Sequence, residues 1–472
     1  MLFRACFSLF LLLREARAWN RSPSPPPMGW RPALWFSCDF DCAEEPADCL
    51  NELLYVEMAD ALFLDGFRKA GYTLLHVDDC VLERAANEDG RVAASRRRFP
   101  SGIRFLSNYL HERHLDFGIT RGPRRPSCTQ KSRRDRFSLP LSKLLDLRTD
   151  FVEMNTCEPT QIRRTSRTML VFCNGNQPTE KKYPPKFCDV FRPPDLPPMR
   201  DDWRRVSAII DYAIANRKKL AHVLRNAKWI DFGELTIGNQ GLTVGQSRIQ
   251  MSLWCMWSAM LMMSADLRSL DRAARRILLN EDAIDIDQDE LGEMAEMVLE
   301  QNGLQFFLKR IEPCNANRTV CAHALAIVNR SNRTASASFK LKQFGWNHSG
   351  AFRMRNVWTP AKSRNLSLDE EFVAVVPPMD VLLFKVLPLG GRVGEWPTDR
   401  KPGRQSLYAT RNALNDAAAA AKRPLPPTAH ESEWFASIVS LLFGWEFVWL
   451  FGVSLAASVV YCAFFVERQQ FR

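Results

Sequence analysis

The sequence predicts an α/β barrel of eight strand–helix units, followed by an antiparallel β-sandwich and a C-terminal transmembrane helix. Three observations carry this. Up to about residue 300, short apolar runs ending in polar residues alternate with stretches of helical spacing. Beyond it the runs are short, rich in β-formers and separated by turn residues. Near the end, Phe447 to Val466 is twenty residues without a charge, enough at about 1.5 Å per residue to cross about 30 Å of hydrocarbon.

Composition sets the outer limits. A chain of 472 residues accommodates two domains plus appendages. With 46% hydrophobic and 25% charged residues it is neither collagen-like nor wholly disordered. Lys and Arg number 64 against 53 acids, and a net charge of +11 is thin over this length, so no nucleic-acid partner is expected. Thirteen cysteines, placed as described below, point to an oxidising compartment.

Residues 1–18, MLFRACFSLFLLLREARA, set Arg4 before an apolar run and end in Ala16-Arg17-Ala18, the form of a signal peptide. The competing reading, an amphipathic first helix, lacks periodicity and meets the Pro-rich SPSPPP at once. The barrel is expected over 19–300. TLLHVDD (73–79), LDFGITR (115–121), DFVEMN (150–155) and RTMLVFCN (167–174) read as strands of a parallel sheet. NELLYVEMADALFLDGFRKAG (51–71) reads as a helix ending at Gly71. Such barrels carry their chemistry at the carboxyl ends of the strands, so polar residues there become the candidates.

The sandwich is expected over 301–389, from LQFFLKRI, CAHALAIVN, ASASFKLKQF, AFRMRNVW and VLLFKVL. Residues 390–433, rich in Arg, Pro, Gly and Ala, read as a stalk. The membrane segment is 434–466, with an aromatic stretch Trp434 to Trp445 at the interface and a best span of 447–466. Glu431, Glu433 and Glu446 precede the span, and Arg468 and Arg472 lie in the tail 467–472. This predicts a single-pass type I protein with a lumenal or extracellular body, in the lysosome or at the cell surface. A buried core helix or the removable tail of a lipid-anchored precursor fits less well, since a long linker precedes the segment and a polar hexapeptide follows it. Six glycosylation acceptors, Asn20, Asn317, Asn329, Asn332, Asn347 and Asn365, agree with a lumenal body.

PPMGW (26–30), CDFDCAEEPADC (38–49), VEMAD (56–60), GYTLLHVDDC (71–80), RFPSGIRFLSNYLH (98–111), IGNQGLT (237–243), SADLR (264–268) and IDIDQDELG (284–292) together resemble glycoside hydrolase family 27, the α-galactosidases and α-N-acetylgalactosaminidases. The resemblance spans residues 26 to about 300 and is dense over 26–120 and 229–295. It implies the same barrel and sandwich, terminal α-galactosyl or α-N-acetylgalactosaminyl groups as substrate, no cofactor, and a homodimer; no Cys/His spacing suggests zinc and the seven His are scattered, so no metal is expected. By position it also implies bridges Cys38–Cys80, Cys42–Cys49, Cys128–Cys157 and Cys173–Cys188. Cys314 and Cys321 flank a hairpin turn and offer a further local bridge, whereas Cys255 in SLWCMW reads as a core residue.

Retaining glycosidases use two carboxyl groups about 5 Å apart, one as nucleophile and one as acid and base. The resemblance places the nucleophile in Glu153-Met154-Asn155-Thr156-Cys157, where the family's Asp is Asn155 and its Lys is Glu153. An amide cannot form the usual glycosyl ester, so losses on the order of 10⁴-fold are expected. The acid/base falls in CDVFRPPDLPPMRDDW. Arg192 matches the family's Arg, but counting back from Trp203 puts Pro198 at the acid's place, and a two-residue shift offers Asp195 instead. Asp78 and Asp79 match the pair that in the family binds galactose hydroxyls. Around them Ala33 and Thr120 replace family aromatics, and Trp229-Ile230-Asp231-Phe232-Gly233 departs from the family run.

Glu153 has two readings: an acid in its own right, or a carboxylate that points to solvent or pairs with Arg192. The basic stretch 121–136 is either a solvated loop or a contact for anionic glycans. Three functions stay open: a membrane-anchored α-galactosidase homologue with weak or lost activity, a carbohydrate- or partner-binding surface protein on the same fold, and an active exo-α-galactosidase using other carboxylates.

Overall fold

A computed structural model describes residues 25–36, 42–45, 48–78, 95–121, 141–154, 169–174, 188–198, 200, 202–315, 318–346, 350–359 and 363–389. Eight of its strands are parallel: β1 (Met28–Trp30), β2 (Leu74–Val77), β3 (Asp116–Arg121), β4 (Phe151–Met154), β5 (Leu170–Asn174), β6 (Val190–Arg192), β7 (Trp229–Ile230) and β8 (Leu261–Met263). They pair in the order β7-β6-β5-β4-β3-β2-β1-β8. Past β7, Leu235 pairs with Met263 of β8. Its N–H donates to the Met262 carbonyl at 2.7 Å and its own carbonyl accepts from Ser264 at 3.2 Å, which rounds the sheet into a barrel.

Helices flank the sheet: α1 (Glu52–Leu64), α2 (Phe67–Ala70), α3 (Ile103–Glu112), α4 (Leu141–Asp146), α5 (Trp203–Ala215), α6 (Arg217–Val223), α7 (Val244–Met256), α8 (Arg272–Leu278) and α9 (Glu281–Asp287). The single helix expected over 51–71 is two. Gly66, at φ 91°, takes the left-handed conformation that ends α1 and starts α2. Asn51 caps α1 by accepting from Leu54 N–H at 2.9 Å.

Strands buried on both faces split their side chains between two cores. Leu74, Phe151, Leu170, Phe172, Val190, Trp229, Met260 and Met262 fill the lumen. Their strand neighbours Leu75, Val152, Val171 and Ile230 join the helices in the larger outer core.

The strands from Glu296 to Pro388 are antiparallel. Strand β9 (Glu296–Gln301) begins slightly before the expected boundary. With β10 (Leu304–Cys314), β11 (Cys321–Asn329), β13 (Phe352–Asn356), β14 (Arg364–Leu366) and β16 (Asp380–Pro388) it forms a six-stranded sheet ordered β14-β13-β16-β11-β10-β9. Strands β12 (Ala335–Lys340) and β15 (Glu371–Val376) pair as the second sheet. Alternation along β11 sends Ala322, Ala324, Ala326 and Val328 into the barrel's outer core and Leu325 and Ile327 into the core between the sheets. Small residues permit this contact: a Cβ on Gly245 of α7 would lie 2.3 Å from the Met379 carbonyl.

Bridges join Cys42 to Cys49, Cys173 to Cys188 and Cys314 to Cys321, and Cys255 is free and buried. Cys38, Cys80, Cys128 and Cys157 lie outside the described residues, as do the signal, stalk and membrane segments and Asn20, Asn317 and Asn347. Among the described residues no helix is long and apolar enough to cross a membrane.

One of the acceptors expected from the sequence is buried. Asn329 is 0% exposed, and its Nδ2 donates to the carbonyls of Arg333 (2.8 Å), Val376 (3.0 Å) and Pro377 (3.0 Å). That nitrogen is committed to the turn and inaccessible in the fold. Asn332 and Asn365 are exposed.

Candidate functional site

The residue two past a lumen-filling side chain returns to the lumen one layer nearer the C-terminal mouth. Leu74 thus leads to His76 and Asp78, Phe151 to Glu153, Val190 to Arg192 and Trp229 to Asp231. In β1 the same parity runs from Gly29 to Arg31. Above an apolar floor the mouth is lined with charge, nearly all of it buried: Arg31 is 2% exposed and Glu153 3%, and His76, Asp78, Asp231 and Glu234 are buried with them.

Arg31 organises this layer. One Nη bonds Glu153 Oε2, and the other lies 3.1 Å from Glu234 Oε1. Since β1 and β4 stand three places apart in the sheet, the guanidinium reaches across the mouth. Arg192 completes the network, its Nε donating to Asp231 Oδ2 at 2.7 Å and its Nη2 to Glu234 Oε1 at 3.2 Å. Both guanidiniums lie over the Phe172 ring, 6.0 and 5.7 Å from its centroid. His76 Nε2 lies 2.8 Å from Thr120 Oγ1 and 3.5 Å from Glu153 Oε2. The imidazole fits because β3 carries no side chain at Gly118, where a Cβ would lie 2.8 Å from His76 Nδ1.

Burial opposes charge on both arginines, but the surrounding carboxylates win. Glu153, Glu234, Asp78 and Asp231 raise Arg31 above its ordinary value, and Asp231 and Glu234 do the same for Arg192. Burial, reinforced by Glu234, raises the Asp231 carboxyl against the pull of Arg192. Breaking such a buried pair from one side is costly, about 3–5 kcal/mol, because it leaves an uncompensated charge.

Asp78, Glu153 and Arg192 are brought together in this layer. Glu153 neither faces solvent nor takes Arg192 as its direct partner, because Arg31 reaches it first. Asp195 goes elsewhere. Its side chain is 50% exposed, pairs with Lys219 on α6 and accepts from the Tyr212 hydroxyl on α5 at 2.8 Å. Partial burial opposes the charge, but these two bonds hold the carboxyl below its usual range. Asn155 and Asp79 lie outside the described residues. Arg31, His76 and Glu234 are absent from the sequence-based candidates. Strand parity carried through Met28-Gly29-Trp30-Arg31 would have placed Arg31 in the lumen, and the same count from Leu74 would have found His76.

A family model described as alpha galactosidase A matches residues 25–174 and 164–289, and one described as the alpha galactosidase C-terminal beta sandwich domain matches 315–386. The chain belongs to the α-galactosidase family of glycoside hydrolases. Among its relatives, α-N-acetylgalactosaminidase of Gallus gallus is 28% identical over 389 residues, covering 77% of this chain and 93% of that one. Human alpha-galactosidase A is 28% identical over 338 residues, covering 67% and 76%. The crystal structure of alpha-galactosidase I from Mortierella vinacea superposes with a TM-score of 0.64 at 18% identity, covering 77% of this chain and 97% of that one, a likeness of fold. In this α-galactosidase family member three carboxylates at the barrel mouth are paired from within: Glu153 and Glu234 with Arg31, Asp231 and Glu234 with Arg192.

Proposed function

We propose that this chain is an α-galactosidase-type protein in which hydrolysis of terminal α-galactosides or α-N-acetylgalactosaminides is weak or lost. A single C-terminal helix anchors it with its folded body in the secretory lumen. The observation that carries the first part is the fate of the two carboxylates. The nucleophile's position by resemblance is Asn155, and Asp195, the one acid offered for the second role, is bound to Lys219 and Tyr212 on flanking helices. Glu153, the nearest substitute in sequence, is held by Arg31. Proton transfer and nucleophilic attack both require carboxyl groups about 5 Å apart on either side of the glycosidic bond.

Three bridges support an oxidising lumen. The uncharged run 447–466, with acids before and arginines after it, supports the anchor.

The full chain, purified in detergent, is offered nitrophenyl α-galactoside and nitrophenyl α-N-acetylgalactosaminide at acid pH. Release on the order of 10⁴-fold below that of ordinary family members, or none, is expected. Turnover like theirs would overturn the reading. For the anchor, retention in the membrane pellet in alkaline carbonate is expected, and release by carbonate would count against it.

A further inference from the structure

We infer that Arg31 is an intramolecular occupant of the barrel mouth, a guanidinium lying where a monosaccharide would otherwise meet Glu153 and Glu234. This rests on the reading above, that the mouth is this protein's sugar site.

Position comes first. Arg31 follows β1 by one residue, yet its two Nη atoms end on a carboxylate of β4 and on Glu234 beyond β7. In a ring ordered β7-β6-β5-β4-β3-β2-β1-β8, these attachments span the mouth rather than one wall. Barrels of this kind bind their ligands at that end of the axis. The guanidinium also lies over Phe172, which belongs to the lumen floor. An aromatic face and two carboxylates are the means by which a protein recognises a hydroxylated ring, and here a side chain of the same protein uses all three.

Chemistry comes second. Arg31 is not a strut with every donor used, because its buried Nε finds no hydrogen-bond partner among the described residues. Glu234 and Asp231 do not depend on it alone, since Arg192 bonds both. Glu153 is the carboxylate that Arg31 chiefly neutralises. The mouth is therefore a cation site filled in cis. Without the Arg31 side chain it would present Glu153 to whatever fits the vacated space: a free guanidinium ion by charge, or a neutral hexose by hydrogen bonding.

The test compares the full chain in detergent, wild type and Arg31→Ala, with methylguanidinium chloride, galactose and N-acetylgalactosamine added separately. Thermal unfolding and calorimetry are the readouts, with sodium chloride matching ionic strength. Wild type is expected to respond to none of them. Arg31→Ala should be stabilised by methylguanidinium, bind at least one sugar at least about tenfold more tightly than wild type, and lose that sugar to methylguanidinium in competition. A folded Arg31→Ala that answers neither probe overturns the inference, as does wild type binding sugar as tightly as the variant. Should Arg31→Ala fail to fold, Arg31→Leu/Glu153→Gln removes the cation and its main partner together, leaves Arg192 on Glu234 and Asp231, and carries the sugar arm by the same criteria. Hydrolysis is scored separately on wild type. Activity there refutes the functional reading, whereas an inactive wild type with an unresponsive variant refutes only the role of Arg31.

Discussion

Lys309 of sandwich strand β10 donates to Ser258 Oγ, beside the end of barrel helix α7, at 2.8 Å. The same ammonium reaches the Cys255 carbonyl at 3.1 Å and the Ile286 carbonyl. It is 2% exposed, and burial lowers its pKa despite Asp287 and Asp289 nearby. One cation thus ties α7, the end of α9 and the sandwich together. Lys309→Met should strand these acceptors and destabilise the protein by about 1–3 kcal/mol, read as an earlier urea midpoint with barrel and sandwich unfolding less cooperatively. An unchanged midpoint would mean that the other contacts between barrel and sandwich, among them Arg248 with Asp380 and Lys385 with Asp282, hold the two together without it.

The sheet was legible where strands are long enough to show an apolar run. The stretches 73–79, 115–121, 150–155 and 167–174 contain β2 to β5. Strands β6, β7 and β8 have only two or three residues, too few for any period. The break at Gly66 was hidden because apolar spacing continues through it. Arg31 was missed for a different reason: its partner Glu153 is 122 positions away, a pairing that only the closed sheet creates. Asp195 fell within reach of the site by sequence count, but the helices that follow draw its carboxylate to Lys219.

Acid should weaken the sandwich through His323. This imidazole stacks on Trp346 at 4.4 Å and faces Arg310 across the β10–β11 ladder. Burial, with the charge of Arg310, lowers its pKa from 6.5 to about 4. The group is therefore neutral in the fold and protonated more readily when unfolded. Its contribution is fully present above 6.5 and lost as pH falls toward about 4. Urea midpoints measured from about pH 7 to about pH 4.5 should fall less steeply in His323→Phe than in wild type. Parallel slopes would exclude His323 as a source of the acid sensitivity.

Glycan mapping separates two neighbouring acceptors. Asn332 sits exposed in the turn after β11, while Asn329 spends its amide on three carbonyls and accepts from Ser331 N–H at 2.9 Å. Enzymatic deglycosylation in heavy-oxygen water should mark Asn332 and leave Asn329 unmarked. Asn329→Ala should keep the glycan mass yet destabilise the protein by about 1–3 kcal/mol. A sugar on Asn329 in folded protein would contradict its burial.

Restoring the nucleophile alone should not restore the enzyme. Asn155→Asp supplies one carboxyl group, and the reaction needs a second on the other side of the bond. Asp195 is engaged by Lys219 and Tyr212, and Glu153 is engaged by Arg31, so neither is free to give a proton to the leaving group. Asn155→Asp is therefore expected to stay at least about 10³-fold below ordinary family members on a nitrophenyl α-galactoside. If Arg31 also keeps the sugar from the mouth, Asn155→Asp with Arg31→Ala should exceed Asn155→Asp alone. The gain should come mainly in KM, because sugar entry is what the second change supplies. Full activity from Asn155→Asp by itself would show that another carboxyl group already serves as the acid and that Arg31 yields to substrate unaided.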